Sequence, residues 1–158
     1  MAKQRILVSD PISDTGVALL SDQPDLEVDV NTGLSPEELI KIIPSYHGLI
    51  IRSQTKVTAE VLAAATELKA VGRAGVGVDN VDRDSATNHG VIVMNTPTGN
   101  TISTAELAFT LMLSAARNIG SAHAEVLKGN FPAARKAFGG IEINNKRLAV
   151  IGMGRIGA

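Results

Sequence analysis

Short β-rich runs recur along the chain at residues 6–9, 26–30, 48–52, 70–73 and 91–94, with helix-like stretches between them. Such alternation is expected of a parallel sheet flanked by helices. Between the second and third runs, Ser35-Pro36-Glu37-Glu38 carries the marks of a helix start: a serine cap, a proline in the first turn and a glutamate three residues after the cap. Leu39, Ile42 and Ile43 then supply its apolar face. Residues 58–65 and 83–88 read as further crossover helices, the latter closed by His89-Gly90, where glycine can take the left-handed cap conformation. Parallel strands need right-handed crossovers, so residues 1–97 are expected to form an α/β unit, an open, doubly wound parallel sheet of flavodoxin-like character.

The pattern changes after Pro97-Thr98-Gly99-Asn100. A long helix is predicted from there to about Asn118, with Ser103, Glu106, Thr110, Ser114 and Arg117 on one stripe and Leu107, Phe109, Leu111, Met112 and Leu113 over most of the remaining circumference. This helix expects burial nearly all round, and Ser103 with Glu106 suits a capping box. At ~1.5 Å per residue it spans ~25 Å, long enough to link two domains. A second helix is predicted over 121–128, a looser stretch over 129–145, and a strand over 148–151. Residues 98–158 thus read as a linking helix and the truncated start of a Rossmann domain. No internal repeat is present.

Composition narrows the partners. At 158 residues and 44% apolar content the chain can bury an ordinary core without covalent staples. A net charge of -1 gives no basic field for nucleic acid and no polybasic segment for an anionic membrane, so the expected partner is a small molecule. Cysteine is absent, which removes disulfides, thiol nucleophiles and thiolate metal sites. The apolar stretch Ile6-Leu7-Val8 is too short for a secretory signal or a membrane span, and a cytoplasmic location is expected.

In open parallel sheets ligands bind at the carboxyl ends of the strands. The third run ends in Arg52-Ser53, the fourth in Arg73-Ala74-Gly75-Val76-Gly77 and the fifth in Asn95-Thr96, which places two guanidinium groups and a glycine-rich turn on one rim. An anion fits there, because bare backbone N–H groups can approach it and arginine can grip a carboxylate or phosphate through paired hydrogen bonds. Arg52 and Arg73 read equally well as solvated strand-end charges, and the glycines as turn formers. A second signal is Gly152-Met153-Gly154-Arg155-Ile156-Gly157, the glycine spacing of a dinucleotide pyrophosphate turn, directly after the predicted strand. The acidic ribose-binding residue expected about 20 positions later lies past Ala158. His47, His89 and His123 have no acidic partner at catalytic or metal-ligand spacing, so no metal is expected. Asp79 and Asp82 read as helix caps.

Several of these segments together resemble one family. Gly72-Arg73-Ala74-Gly75-Val76-Gly77-Val78-Asp79-Asn80-Val81-Asp82 is similar to a signature of the D-isomer-specific 2-hydroxyacid dehydrogenases, in their phosphoglycerate branch. Ile50-Ile51-Arg52-Ser53, Thr55-Lys56-Val57-Thr58, Asn95-Thr96-Pro97, Gly99-Asn100-Thr101-Ile102-Ser103-Thr104-Ala105-Glu106 and the terminal glycine motif follow in the family's order. The resemblance implies a split substrate-binding domain joined by the long helix to an NAD-binding Rossmann domain. It implies that Arg52, Ser53 and Asn100 help hold a phosphorylated hydroxyacid, with the backbone of Gly75, Val76 and Gly77 at its carboxylate. Val76 is expected to touch the nicotinamide side of the cofactor, and Gly152, Gly154, Arg155, Ile156 and Gly157 to carry the pyrophosphate.

The family's catalytic Arg, Glu and His fall beyond this stretch, so the chain is expected to be an inactive amino-terminal portion of an oxidoreductase of serine biosynthesis. One departure is Phe131-Pro132-Ala133-Ala134-Arg135-Lys136-Ala137-Phe138, where many relatives have a tryptophan and a basic cluster. The alternative is a stand-alone anion-binding or dimerisation module. A homo-oligomer formed through the helix and tail after residue 100 is expected in either case.

Overall fold

The computed structural model describes residues 2–158 and divides into two compact units, one ending at Gly99 and the other running Asn100–Ala158. The first unit holds strands β1 Gln4–Val8, β2 Leu26–Val30, β3 Gly48–Ile51, β4 Ala70–Arg73 and β5 Ile92–Asn95. All neighbouring pairs are parallel, in the order β2-β1-β3-β4-β5. That is the flavodoxin-like order expected from the sequence, and each expected strand is present within two residues at either end. The crossovers are α1 Asp14–Ser21, α2 Pro36–Ile42 with a 3-10 turn Ile43–Ser45, α3 Ala59–Ala64 and α4 Arg83–Asn88.

Local chemistry sets the helix ends. Ser35 and Glu38 form the expected reciprocal capping box, Oγ accepting from the Glu38 N–H at 3.2 Å and Glu38 accepting from the Ser35 N–H at 2.8 Å. Asp82 caps α4 by accepting from the Ser85 N–H at 2.9 Å, and Gly90 comes two residues after the helix with φ +69°. Asp79 caps nothing; its carboxylate lies 3.9 Å from Arg73 Nη2. The core joins Leu7, Leu49 and Val71 of the central strands to Leu39, Val61 and Leu62 of the covering helices. Each such buried side chain contributes roughly 1.5–3 kcal/mol.

Because β1 is flanked by β2 on one side and β3 on the other, the strand order reverses between β1 and β3. In open sheets of this kind ligands bind at the carboxyl ends of the strands near that point. Here the residues just after Val8 and Ile51 are tied to one another: Asp10 accepts from the Arg52 N–H at 2.6 Å, and Ser9 Oγ lies 3.0 Å from Thr55 Oγ1.

The second unit contains α5 Thr101–Ala116, α6 Ile119–Leu127 and α7 Phe131–Ala137. Three expectations need correction. The Ser103–Glu106 capping box does not form: α5 begins two residues earlier, and Ser103 Oγ donates instead to the Asn100 carbonyl at 3.1 Å. α7 lies in the stretch expected to be loose. The Rossmann strand over 148–151 is absent: this segment has no secondary structure and Ile151 is fully exposed. A parallel strand is held by ladder bonds on its flanks, and the unit contains no strand to supply them. α5 itself buries no side chain within this unit; Phe109 is 58% and Leu111 60% exposed.

Candidate anion-binding site

Register brings the three expected loops to one level. Ile51 pairs with Arg73 and Arg73 with Asn95, so Arg52-Ser53, the turn from Ala74 to Val78, and Thr96 leave the sheet side by side. Arg52 and Ser53 are exposed, and Val76 is 36% exposed.

The loop after β3 is held from within by Asp10, which lies just beyond β1. Asp10 is 1% exposed. Its Oδ2 accepts from the N–H groups of Arg52 at 2.6 Å, Gln54 at 3.2 Å and Thr55 at 3.1 Å. Its Oδ1 accepts from Thr55 Oγ1 at 2.6 Å. Burial pushes the Asp10 carboxyl upward, but these hydrogen bonds outweigh it and hold the group below the ordinary carboxylate value. The other side of the loop is fixed through carbonyls. Asn80 Nδ2 donates to Arg52 O at 2.8 Å and to Thr55 O at 2.6 Å, and Arg73 Nε donates to Arg52 O at 3.1 Å.

The glycine turn after β4 has its carbonyls similarly tied down. Gly75 O accepts from the Thr96 N–H at 2.9 Å, Val76 O from Asn95 Nδ2 at 2.6 Å, and Gly77 O from Arg73 Nη1. Peptide units are planar and the described ones are all trans, so each N–H points opposite to the carbonyl of its own unit. The N–H groups of Val76, Gly77 and Val78 are therefore turned away from Thr96, Asn95 and Arg73, and none has an acceptor among the described residues. The same reasoning applies to Ser53, whose unit shares the Arg52 carbonyl. Four backbone donors are thus left without an acceptor at the ends of neighbouring strands, near the Ser53 hydroxyl, while the exposed Arg52 guanidinium donates to the Pro11 carbonyl at 3.4 Å.

Arg73 differs from Arg52. Its side chain is 11% exposed and is committed to Arg52 O, Gly77 O and the Asp79 carboxylate. It shapes both loops. Sequence reasoning misses the roles of Asp10 and Asn80 altogether; in the sequence Asp10 marks only the end of an apolar run, although the rule about carboxyl ends of strands points to it.

None of the histidines of the first unit reaches this rim. His47 precedes β3, at the opposite end of the strands, and accepts from the Arg5 N–H at 3.0 Å. His89 closes α4 against the Ser85 carbonyl at 2.8 Å. His123 lies on α6. Among the described residues no cluster of potential metal ligands occurs, and no helix is long and apolar enough to cross a membrane.

Two further candidates lie in the second unit. Asn100 precedes α5 without capping it by its side chain, which makes no hydrogen bond among the described residues. In the glycine motif, Gly152 has φ +103°, a conformation side chains rarely adopt, and a Cβ on Gly157 would collide with the Gly152 carbonyl. Both positions thus require glycine in this conformation. The flanking strand and helix of that motif are not formed; residues 148–152 instead border a groove with Ala105, Phe109 and Met112.

The sheet order defines an open, doubly wound α/β fold, and comparison with known proteins identifies its family. The family described as D-isomer specific 2-hydroxyacid dehydrogenase, catalytic domain, matches residues 6–150, and the chain belongs to it. It is 52% identical to the D-3-phosphoglycerate dehydrogenase of Archaeoglobus fulgidus over 153 residues, 97% of this chain and 28% of that protein. The corresponding enzyme of Methanocaldococcus jannaschii is 49% identical over 153 residues, again 28% of its length. The chain therefore spans little more than a quarter of these curated relatives. Among solved structures, NAD+-bound 3-phosphoglycerate dehydrogenase of Entamoeba histolytica aligns at 30% identity and TM-score 0.66, over 73% of this chain and 40% of that one. A Thermus thermophilus protein aligns at 33% identity and TM-score 0.87, over 98% of this chain and 50% of the other.

Proposed function

We propose that this chain is the substrate-holding part of an NAD-dependent oxidoreductase acting on 3-phospho-D-glycerate or a closely related D-2-hydroxyacid in serine biosynthesis. The observation that carries this reading is the set of open N–H donors at Val76, Gly77 and Val78 beside Arg52 and Ser53. In the proposed arrangement the hydroxyacid carboxylate takes the N–H groups of Val76 and Gly77 in the glycine turn; the Gly75 N–H, expected to share in this, is instead spent on the Arg73 carbonyl at 2.8 Å. The phosphate takes the Arg52 guanidinium and Ser53, with Asn100 as a further polar contact. Arg73 serves by holding the two loops.

The second unit contributes the dinucleotide end. Gly152, Gly154, Arg155, Ile156 and Gly157 form the turn for the pyrophosphate of NAD, and Val76 meets the nicotinamide side. Bound NAD supplies the hydride acceptor. Removal of the hydroxyl proton needs an acid-base group, and no histidine of the first unit stands on the rim. The 158-residue chain is accordingly proposed to bind without turning over.

Calorimetric titration of the purified chain tests this. Saturable heat is expected with 3-phosphoglycerate, and binding about tenfold or more weaker with glycerol 3-phosphate, which lacks the carboxylate, since a charged hydrogen bond contributes roughly 1.5–3 kcal/mol. Equal affinity for the two ligands, or no heat at millimolar ligand, contradicts the assignment. NADH production by the isolated chain contradicts the proposed lack of turnover.

A further inference from the structure

Asp10 is a buried charge that makes none of the proposed ligand contacts. It is 1% exposed, comes from a different strand, and meets residues 42 to 45 positions further along the chain. A buried carboxylate is costly unless its oxygens are filled, and here both are. The groups that fill them are selected. The N–H groups of Arg52, Gln54 and Thr55 all turn inward to Asp10, while that of Ser53, between them, does not. Asn80 and Arg73 complete the selection by holding the Arg52 carbonyl, the partner of the Ser53 N–H in one peptide unit.

We infer that Asp10 is a positioning residue of the anion site: by drawing in three N–H groups of the loop after β3, it leaves the Ser53 N–H as that loop's one donor without an internal acceptor. The inference rests on the proposed function of that rim. It concerns a charge that a neutral isostere cannot reproduce. An asparagine at this position keeps the pattern only with its amide oxygen on the three backbone donors and its NH2 donating to Thr55 Oγ1, so the Thr55 hydroxyl proton must turn elsewhere and the bonds that hold the loop lose their charge assistance.

The test is Asp10→Asn in the same chain, read by calorimetry with 3-phosphoglycerate and by amide NMR spectra. In the folded variant, affinity is expected to fall about tenfold or more, as for loss of one charged hydrogen bond. The Arg52, Gln54 and Thr55 amide signals should move while those of Leu49 and Val71 stay in place. Wild-type affinity in folded Asp10→Asn overturns the inference and leaves the proposed function intact; absence of binding by the wild type sinks both. If Asp10→Asn does not fold, Thr55→Val and Thr55→Ser carry the test. Only the serine keeps the hydroxyl that donates to Asp10. Serine should then retain affinity that valine loses, and equal affinity in both overturns the inference.

Discussion

The side-chain amide of Asn80 donates to the Arg52 carbonyl at 2.8 Å and to the Thr55 carbonyl at 2.6 Å, so one group from beyond the glycine turn closes both ends of the loop after β3. Two loops that belong to different strands are thereby fastened as one rim. The fastening makes specific demands on its members.

Asn80→Ala removes two hydrogen bonds, leaving the Thr55 carbonyl without a donor and the Arg52 carbonyl with Arg73 alone. A lost hydrogen bond of this kind contributes about 0.5–1.5 kcal/mol, so destabilisation of about 1–3 kcal/mol is expected in urea denaturation. Asn80→Asp should be worse near neutral pH, because it turns a carboxylate toward two carbonyl oxygens. A variant as stable as the wild type would show that the two bonds do not persist in solution.

Leu49→Ala tests the core that carries the rim. Leu49 is fully buried on the central strand β3, three residues from Arg52. Truncation is expected to lower stability by about 2–5 kcal/mol, the range for buried leucines whose surroundings relax only in part. A loss under about 1 kcal/mol, far below that range, would mean that the centre of the sheet is not packed as described.

The pH dependence of stability comes from Asp10. Burial raises its pKa, the hydrogen bonds from Thr55, Arg52 and Gln54 lower it by more, and the net value in the folded state lies below the ordinary one. A carboxylate with a depressed folded pKa binds fewer protons when folded than when unfolded in acid. Its stabilisation is therefore complete above the unfolded value of about 3.9 and is lost as pH falls through the folded value. Urea midpoints of the wild type and Asp10→Asn should differ by a constant amount from about pH 7 to about pH 5 and converge below about pH 4. A gap that widens in acid contradicts the sign.

Hydrogen exchange separates the two units. Ile50 and Val71 lie in the interior of a five-stranded parallel sheet, whereas residues 146–158 contain no helix or strand. The tail is expected to exchange orders of magnitude faster than those strand amides. Equal protection in a monomer would show that the tail has found a ladder partner.

Much of the fold is readable in the chain. The five strands announce themselves as short apolar runs between turn residues, and Ser35 with Glu38 marks α2 because a capping box is purely local chemistry. α1 is implied as a crossover, and its one local signal is Ser13, which caps it by accepting from the Gly16 N–H at 3.2 Å; its eight residues include Gly16 and bury no side chain, so no apolar face marks it. α7 is hidden by Gly129-Asn130 before it and Gly139-Gly140 after it. Residues 148–151 have the composition of a strand, yet a strand exists only through neighbours. Among candidate site residues, Arg52, Ser53 and the glycine turn are visible from strand-end position. The roles of Asp10, Asn80 and Arg73 are not, since each depends on which backbone groups face inward across separations of 21 to 45 residues.

The most direct test of the anion rim is residue-resolved amide NMR of the chain titrated with 3-phosphoglycerate. The N–H signals of Ser53, Val76, Gly77 and Val78 are expected to shift together along a single saturation curve, with those of β2 and α1 unmoved. Shifts confined to other surfaces, with these four amides silent at saturating ligand, would contradict it.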